Sequence, residues 1–161
     1  MFKSLLDSNK KTGVIMTIAI FDFNRTLYDP NTDKLLPDVV YVLNTLRKRG
    51  VSLHLLSRDN QDRLDLLERH GIHNLFDAIN FVEDKSPEAF AKIIRDAGVT
   101  AKDTYAIGDY LHKDVRFANQ CGAHTIWLQR GNFAGQKPEI PDDLPEHTIT
   151  EIIEVLNLIP C

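Results

Sequence analysis

Residues Val14 to Phe23 read VIMTIAIFDF, and Asn24-Arg25-Thr26 follow directly. A run this rich in β-branched and aromatic side chains, with a single charge, predicts a strand buried on both faces. Strands of that kind belong to parallel sheets covered by helices on either side. The single charge, Asp22, stands near the end of the run. Burying a lone carboxylate is costly unless something pairs with it. Its position therefore predicts a functional group and not a packing one.

Outward from this strand, short apolar runs alternate with helical stripes. Val39, Val42, Leu43 and Leu46 recur at helical spacing and stop at Gly50, which suits the C′ position. Val51 to Leu56 predicts a second strand. A helix from about Asn60 to His70 comes next, with Leu64 and Leu67 inward. Ala78 to Val82 predicts a third strand, and Ser86-Pro87 supplies the cap and first turn of a helix lined by Phe90, Ile93, Ile94 and Ala97. Thr104 to Ile107 and His124 to Leu128 predict strands four and five, separated by a helix from about Lys113 to Cys121. Gln129 to Glu146 reads as loop. Thr148 and Glu151 predict a capping box for a last helix with Ile149, Ile152, Ile153 and Leu156 along one side. The alternation predicts an α/β fold with a mostly parallel five-stranded sheet. Residues 1–15 read as an N-terminal extension or arm, and residues 16–161 as a single domain.

The bulk properties fit that picture. A chain of 161 residues, 43% hydrophobic and 26% charged, can bury a core without disulfides or metals. The formal charge of −4 argues against nucleic acid or an anionic membrane as a bulk partner. The two cysteines, Cys121 and Cys161, have no short-spaced partner and read as free thiols in a reducing compartment. The first residues lack the apolar stretch of a signal peptide, and no run is long enough to span a bilayer, so a cytoplasmic protein is expected.

Ligands bind open parallel sheets at the carboxyl ends of the strands. Strand one ends in Asp22, with Asn24 and Thr26 after it; strand two ends in Ser57, followed by Arg58. Glu83, Asp84 and Lys85 follow strand three, and strand four ends in Gly108-Asp109 with Asp114 five residues on. Each residue has an ordinary alternative: Ser57 as a turn residue, Lys85 as a solvated surface lysine, Asp109 and Asp114 as complements to a helix dipole. Together, and in this order, they suit phosphoryl transfer. A carboxylate can attack phosphorus and hold the group covalently. A divalent cation on hard oxygens offsets charge, and a hydroxyl and an ammonium hold the other phosphate oxygens.

These residues resemble the haloacid dehalogenase-like superfamily. Its four motifs match Asp22-Phe23-Asn24-Arg25-Thr26, Ser57, Lys85, and Gly108-Asp109 through Asp114, over roughly residues 17–128. The resemblance implies a three-layer Rossmann-like fold and a hydrolase acting on phosphomonoesters through a phosphorylated Asp22. It implies phosphate contacts from Thr26, Ser57, Arg58 and Lys85. It also implies Mg2+ held by Asp22, the Asn24 carbonyl and Asp109, with Asp114 assisting. The segments where caps are inserted in such proteins are short here, so no cap domain is expected. Capless members act on large or protruding substrates, or form homo-oligomers in which a neighbour supplies the lid.

One position departs from the pattern. Family phosphatases carry a second aspartate two residues after the nucleophile, where this chain has Asn24. An amide hydrogen-bonds but does not exchange protons at neutral pH. General acid–base catalysis contributes about 10² to 10⁴ in rate, so slow hydrolysis is the expectation. A catalytically weak phosphate- and magnesium-binding scaffold is the alternative. A response-regulator-like receiver is disfavoured, because it would place its acceptor aspartate on the third strand. His70 and His73 flank Gly71 without a further ligand nearby, and Arg47, Lys48 and Arg49 suit the last turn of their helix. Trp127 and Phe133 stand near the site-side loop, Trp127 being better suited to the core.

Overall fold

The computed structural model describes residues 15–58 and 61–160. The strand that opens the chain's reading is β1, Ile18–Phe21, and all four of its residues are buried. A short hairpin follows, β2 (Tyr28–Asp29) against β3 (Lys34–Leu35). Next come helix α1 (Val39–Lys48), β4 (Ser52–Arg58), α2 (Arg63–Arg69), β5 (Ala78–Val82) and α3 (Pro87–Asp96). Then follow β6 (Thr104–Gly108), α4 (Arg116–Gln120), β7 (His124–Leu128) and β8 (His147–Ile149).

Strands β5-β4-β1-β6-β7-β8 form one sheet, and every pairing in it is parallel. Because side chains alternate across a strand, β1 feeds two cores. Ala19 and Phe21 pack with Leu43, Leu46, Leu53, Leu55 and Leu67, beneath α1 and α2. Ile18 and Ile20 pack with Leu56, Phe90, Ile93 and Ala118, beneath α3 and α4. This is a three-layer Rossmann-like α/β fold with β1 central, flanked on both sides by hydrogen-bonded strands.

The sheet has six strands where five were expected. The sixth, β8, pairs Ile126 with His147 and Leu128 with Ile149. Three residues inside a proline-rich stretch carry too little periodicity to announce a strand. Thr148 accordingly sits in β8; the cap is Glu151, three residues later, where Glu154 Oε2 accepts from the Thr150 and Glu151 amides at 2.9 Å. The helix it opens is a 3₁₀ segment, Ile152–Asn157. In α2 the inward face also differs: Leu64 is 43% exposed, whereas Arg63 is 5% and Leu67 0% exposed. Asn60, Cys161 and residues 1–14 of the expected arm over 1–15, Val14 among them, lie outside the described residues.

Among the described residues, only the β2–β3 hairpin separates β1 from α1, and only α2 with a 3₁₀ turn (His73–Leu75) separates β4 from β5. Among the described residues no cap domain covers the carboxyl edge of the sheet. Among the described residues no helix is long and apolar enough to cross a membrane.

Candidate active site at the carboxyl edge of the sheet

Asp22 follows β1 directly, and its amide donates to the Ile107 carbonyl at 3.0 Å, so the sheet ladder fixes its backbone. Its carboxylate is held from two sides. Lys85 Nζ donates to Oδ1 at 2.7 Å, and Thr26 Oγ1 donates to Oδ2 at 3.1 Å. Thr26 is fully buried; its hydroxyl orients Asp22, and it does not line the cavity in front of that carboxylate. Lys85 also donates to Asp114 Oδ1 at 2.6 Å, which ties the loop after β5 to the turn after β6. Gly108 is needed at the end of β6 because a Cβ there would overlap the Asp114 carboxylate.

Oxygens of Asp22, Asp109 and Asp114 all lie within 4.8 Å of one another. Three carboxylates this close cannot all ionise comfortably. Burial works against the charge of Asp22, yet the Lys85 ammonium outweighs it and holds Asp22 below the ordinary carboxylate range. Burial, then the charges of Asp22 and Asp114, push Asp109 up to about 8. Burial and Asp22 likewise push Asp114 up to about 6, against the pull of Lys85. Burial disfavours charge on Lys85 too, but Asp114 and Asp22 hold it above its ordinary value. A buried trio of hard oxygen donors with uncompensated negative charge is the donor set that a small divalent cation such as Mg2+ fits.

The cavity over this cluster has a volume of about 450 Å³. Ser57, at the end of β4, opens onto it and turns its hydroxyl to the Arg58 carbonyl at 3.2 Å. Arg58 reaches the rim, its Nε donating to the Glu83 carbonyl at 3.3 Å. Asn24 also lines the cavity, and its Oδ1 accepts from Arg63 Nη1 at 3.0 Å. A guanidinium only donates, so the amide oxygen faces Arg63 and the NH2 group is turned away from it.

Sequence reading gave no role to Arg63; for Arg25, which stands where the family often has glycine, it offered either a substrate contact or a solvent-facing loop position. Arg25 adopts a left-handed backbone (φ 60), which costs a non-glycine residue about 1–2 kcal/mol. Its Nε donates to Asp109 Oδ2 at 3.0 Å, and its guanidinium lies 4.7 Å from the Phe133 ring centroid. Arg63 lies 4.4 Å from the centroid of the Phe23 ring. Its signal was present in the sequence: an arginine four residues before buried Leu67 stands on the apolar stripe of α2. Trp127 is core, with Nε1 donating to the Asp109 carbonyl at 3.0 Å. The two histidines do not converge; His70 lies beside Asp33, and His73 contacts Asn74.

A family model described as haloacid dehalogenase-like hydrolase matches residues 7–122. The glyceraldehyde 3-phosphate phosphatase of Methanopyrus kandleri is 31% identical over 132 residues, 78% of this chain and 57% of that protein. The phosphoserine phosphatase of Thermus thermophilus is 27% identical over 75% of this chain and 49% of its own length. The chain thus spans about half the length of these relatives. A crystal structure of a HAD phosphatase from Thermococcus onnurineus superposes with a TM-score of 0.74, covering 89% of this chain and 98% of that one at 16% identity. That last likeness is one of fold.

Proposed function

The chain belongs to the haloacid dehalogenase-like hydrolase family, and from that premise we propose that it is a Mg2+-dependent phosphohydrolase acting on a phosphomonoester through an aspartyl-phosphate on Asp22. The observation that carries this reading is the junction of three strand ends: Lys85 bridges Asp22 and Asp114 at 2.7 and 2.6 Å, with an Asp109 oxygen within 4.8 Å. The relatives named as phosphatases support it.

In the first step an Asp22 oxygen attacks phosphorus, and the ester oxygen departs as the alcohol after taking a proton from water. Lys85 and Ser57 hold non-reacting phosphate oxygens, and Thr26 keeps the attacking carboxylate in line. In the second step water attacks the phosphorus, the bond to Asp22 breaks, and phosphate leaves with the carboxylate restored. Mg2+ held by Asp22, Asp109, the Asn24 carbonyl and, more remotely, Asp114 would offset repulsion between the nucleophile and the anionic substrate. Asn24 offers a fixed hydrogen-bond donor and no exchangeable acid, so both steps run without general acid–base help.

That same feature favours a second reading, a catalytically weak phosphate- and Mg2+-binding scaffold. A phosphomonoester screen with Mg2+ separates the two. Turnover in the native chain should fall by at least about 10³-fold in Asp22→Asn; activity that survives the substitution belongs to another site or a contaminant. Asn24→Asp should raise turnover about tenfold, short of the full contribution of an acid–base group because Arg63 would hold the new carboxylate ionised. A native chain that is already fast and gains nothing would refute this account of position 24.

A further inference from the structure

The cavity is lined by five cationic side chains and four carboxylates. Three of the cations are matched: Lys85 to Asp22 and Asp114, Arg25 to Asp109, and Lys113 to Asp84 at 3.1 Å. Arg63 is not. It is 5% exposed, its polar contact is the neutral amide of Asn24, and its Nε has no hydrogen-bond partner. No carboxylate among the described residues pairs with it. Burial disfavours its charge, and the nearby Asp22 supports it. Arg58, at the other end of the same β4–α2 connection, rests on a backbone carbonyl.

A divalent cation and a phosphoryl dianion cancel one another, so their arrival leaves the cationic excess in place. A buried guanidinium without a counter-ion is unfavourable unless a ligand completes it. Its planar fork suits a carboxylate, which it can hold bidentately. We infer that Arg63, assisted at the rim by Arg58, is the specificity-determining residue for a second anionic group, so that the substrate class is a phosphate monoester carrying a carboxylate. This rests on the phosphohydrolase reading for the meaning of "substrate", but the subsite itself is a binding property and can be tested without turnover.

The test is calorimetry on Asp22→Asn with Mg2+ present, comparing 3-phosphonooxypropanoate with propyl phosphate, which differ by a carboxylate in place of a methyl group. The acid should bind about tenfold tighter or better, as one charge-assisted pair implies. Adding Arg63→Gln should shrink that preference to about threefold or less, and Arg63→Lys, which keeps the charge but loses the two-pronged fork, should retain only part of it. A thermal melt of each variant shows that it is folded. Equal binding of the two esters to Asp22→Asn overturns the subsite even if the Arg63 variants do not fold. A preference that survives Arg63→Gln overturns the role of Arg63. If the preference depends on Arg63 and the native chain still hydrolyses neither ester nor any other, the subsite stands and the phosphohydrolase reading fails.

Discussion

Asp109 and Asp143 are both buried carboxylates, each beside an arginine, and the protein treats them in opposite ways. Asp143 accepts two bonds from Arg116, at 2.6 and 2.9 Å, and two more from the amides of Glu139 and Ile140 at 2.8 and 3.3 Å. Asp109 accepts one bond from Arg25 at 3.0 Å and faces two further carboxylates. The hydrogen bonds from Arg116 hold Asp143 well below the ordinary carboxylate range, whereas burial and like charge push Asp109 up to about 8. A carboxylate whose lone pairs are all met pins a loop. One left short of partners in a cavity is arranged for something that comes and goes. Arg116–Asp143 holds the chain between β7 and β8 against α4; the Asp22–Asp109–Asp114 cluster is a source of instability, which the proposed chemistry would put to use.

The sharpest way to break this contrast is Asp109→Asn. The amide removes the cost of holding a proton on a carboxyl group pushed up to about 8, and should raise the melting temperature of the metal-free protein at neutral pH by about 2–4 °C. If Mg2+ binds as proposed, the same change should lower turnover by about 10²-fold or more and abolish the stabilisation expected on adding Mg2+. A melting temperature that falls in the metal-free protein would show Asp109 to be structural after all. Asp143→Ala leaves Arg116 and two backbone amides without their acceptor, and should lower the melting temperature by about 5 °C or more. An unchanged melting temperature would remove the clip from the account.

The smallest effect is the pH dependence of the metal-free melting temperature, and the two carboxylates pull it in opposite directions. Asp143 has a folded value below its unfolded one, so its contribution is complete above about pH 4 and is lost as the pH falls through its depressed folded value. Asp109 has a folded value of about 8, above its unfolded one, so the folded state holds an extra proton between about pH 4 and 8 and stability declines as the pH rises through that window. Thermal melts in a chelator should therefore show a maximum on the acid side of neutrality. Excess Mg2+ should flatten the alkaline limb and leave the acid limb unchanged; an alkaline limb indifferent to Mg2+ would contradict the cation reading.

Much of the site was legible before any coordinates, because it depends on a topological rule: polar residues at the ends of parallel strands meet at one edge. Asp22, Ser57, Lys85, Asp109 and Asp114 were readable as a set for that reason. Thr26 was legible as a site residue, but its part was not, since only burial shows its hydroxyl spent on Asp22. β8 escaped because three residues carry no pattern and its pairing partner lies some twenty residues away.

Sequence alone determined the layers, the burial of the first strand and the order of the polar residues at the strand ends, since these follow from local periodicity and from what an apolar strand can end in. Tertiary structure decided which charges are paired. Arg25 meets Asp109 across 84 positions and Arg63 meets Asn24 across 39, and no local pattern encodes contacts of that span. Electrostatic balance is a property of distances in a low-dielectric cavity, and a string of residues does not contain those distances until it folds.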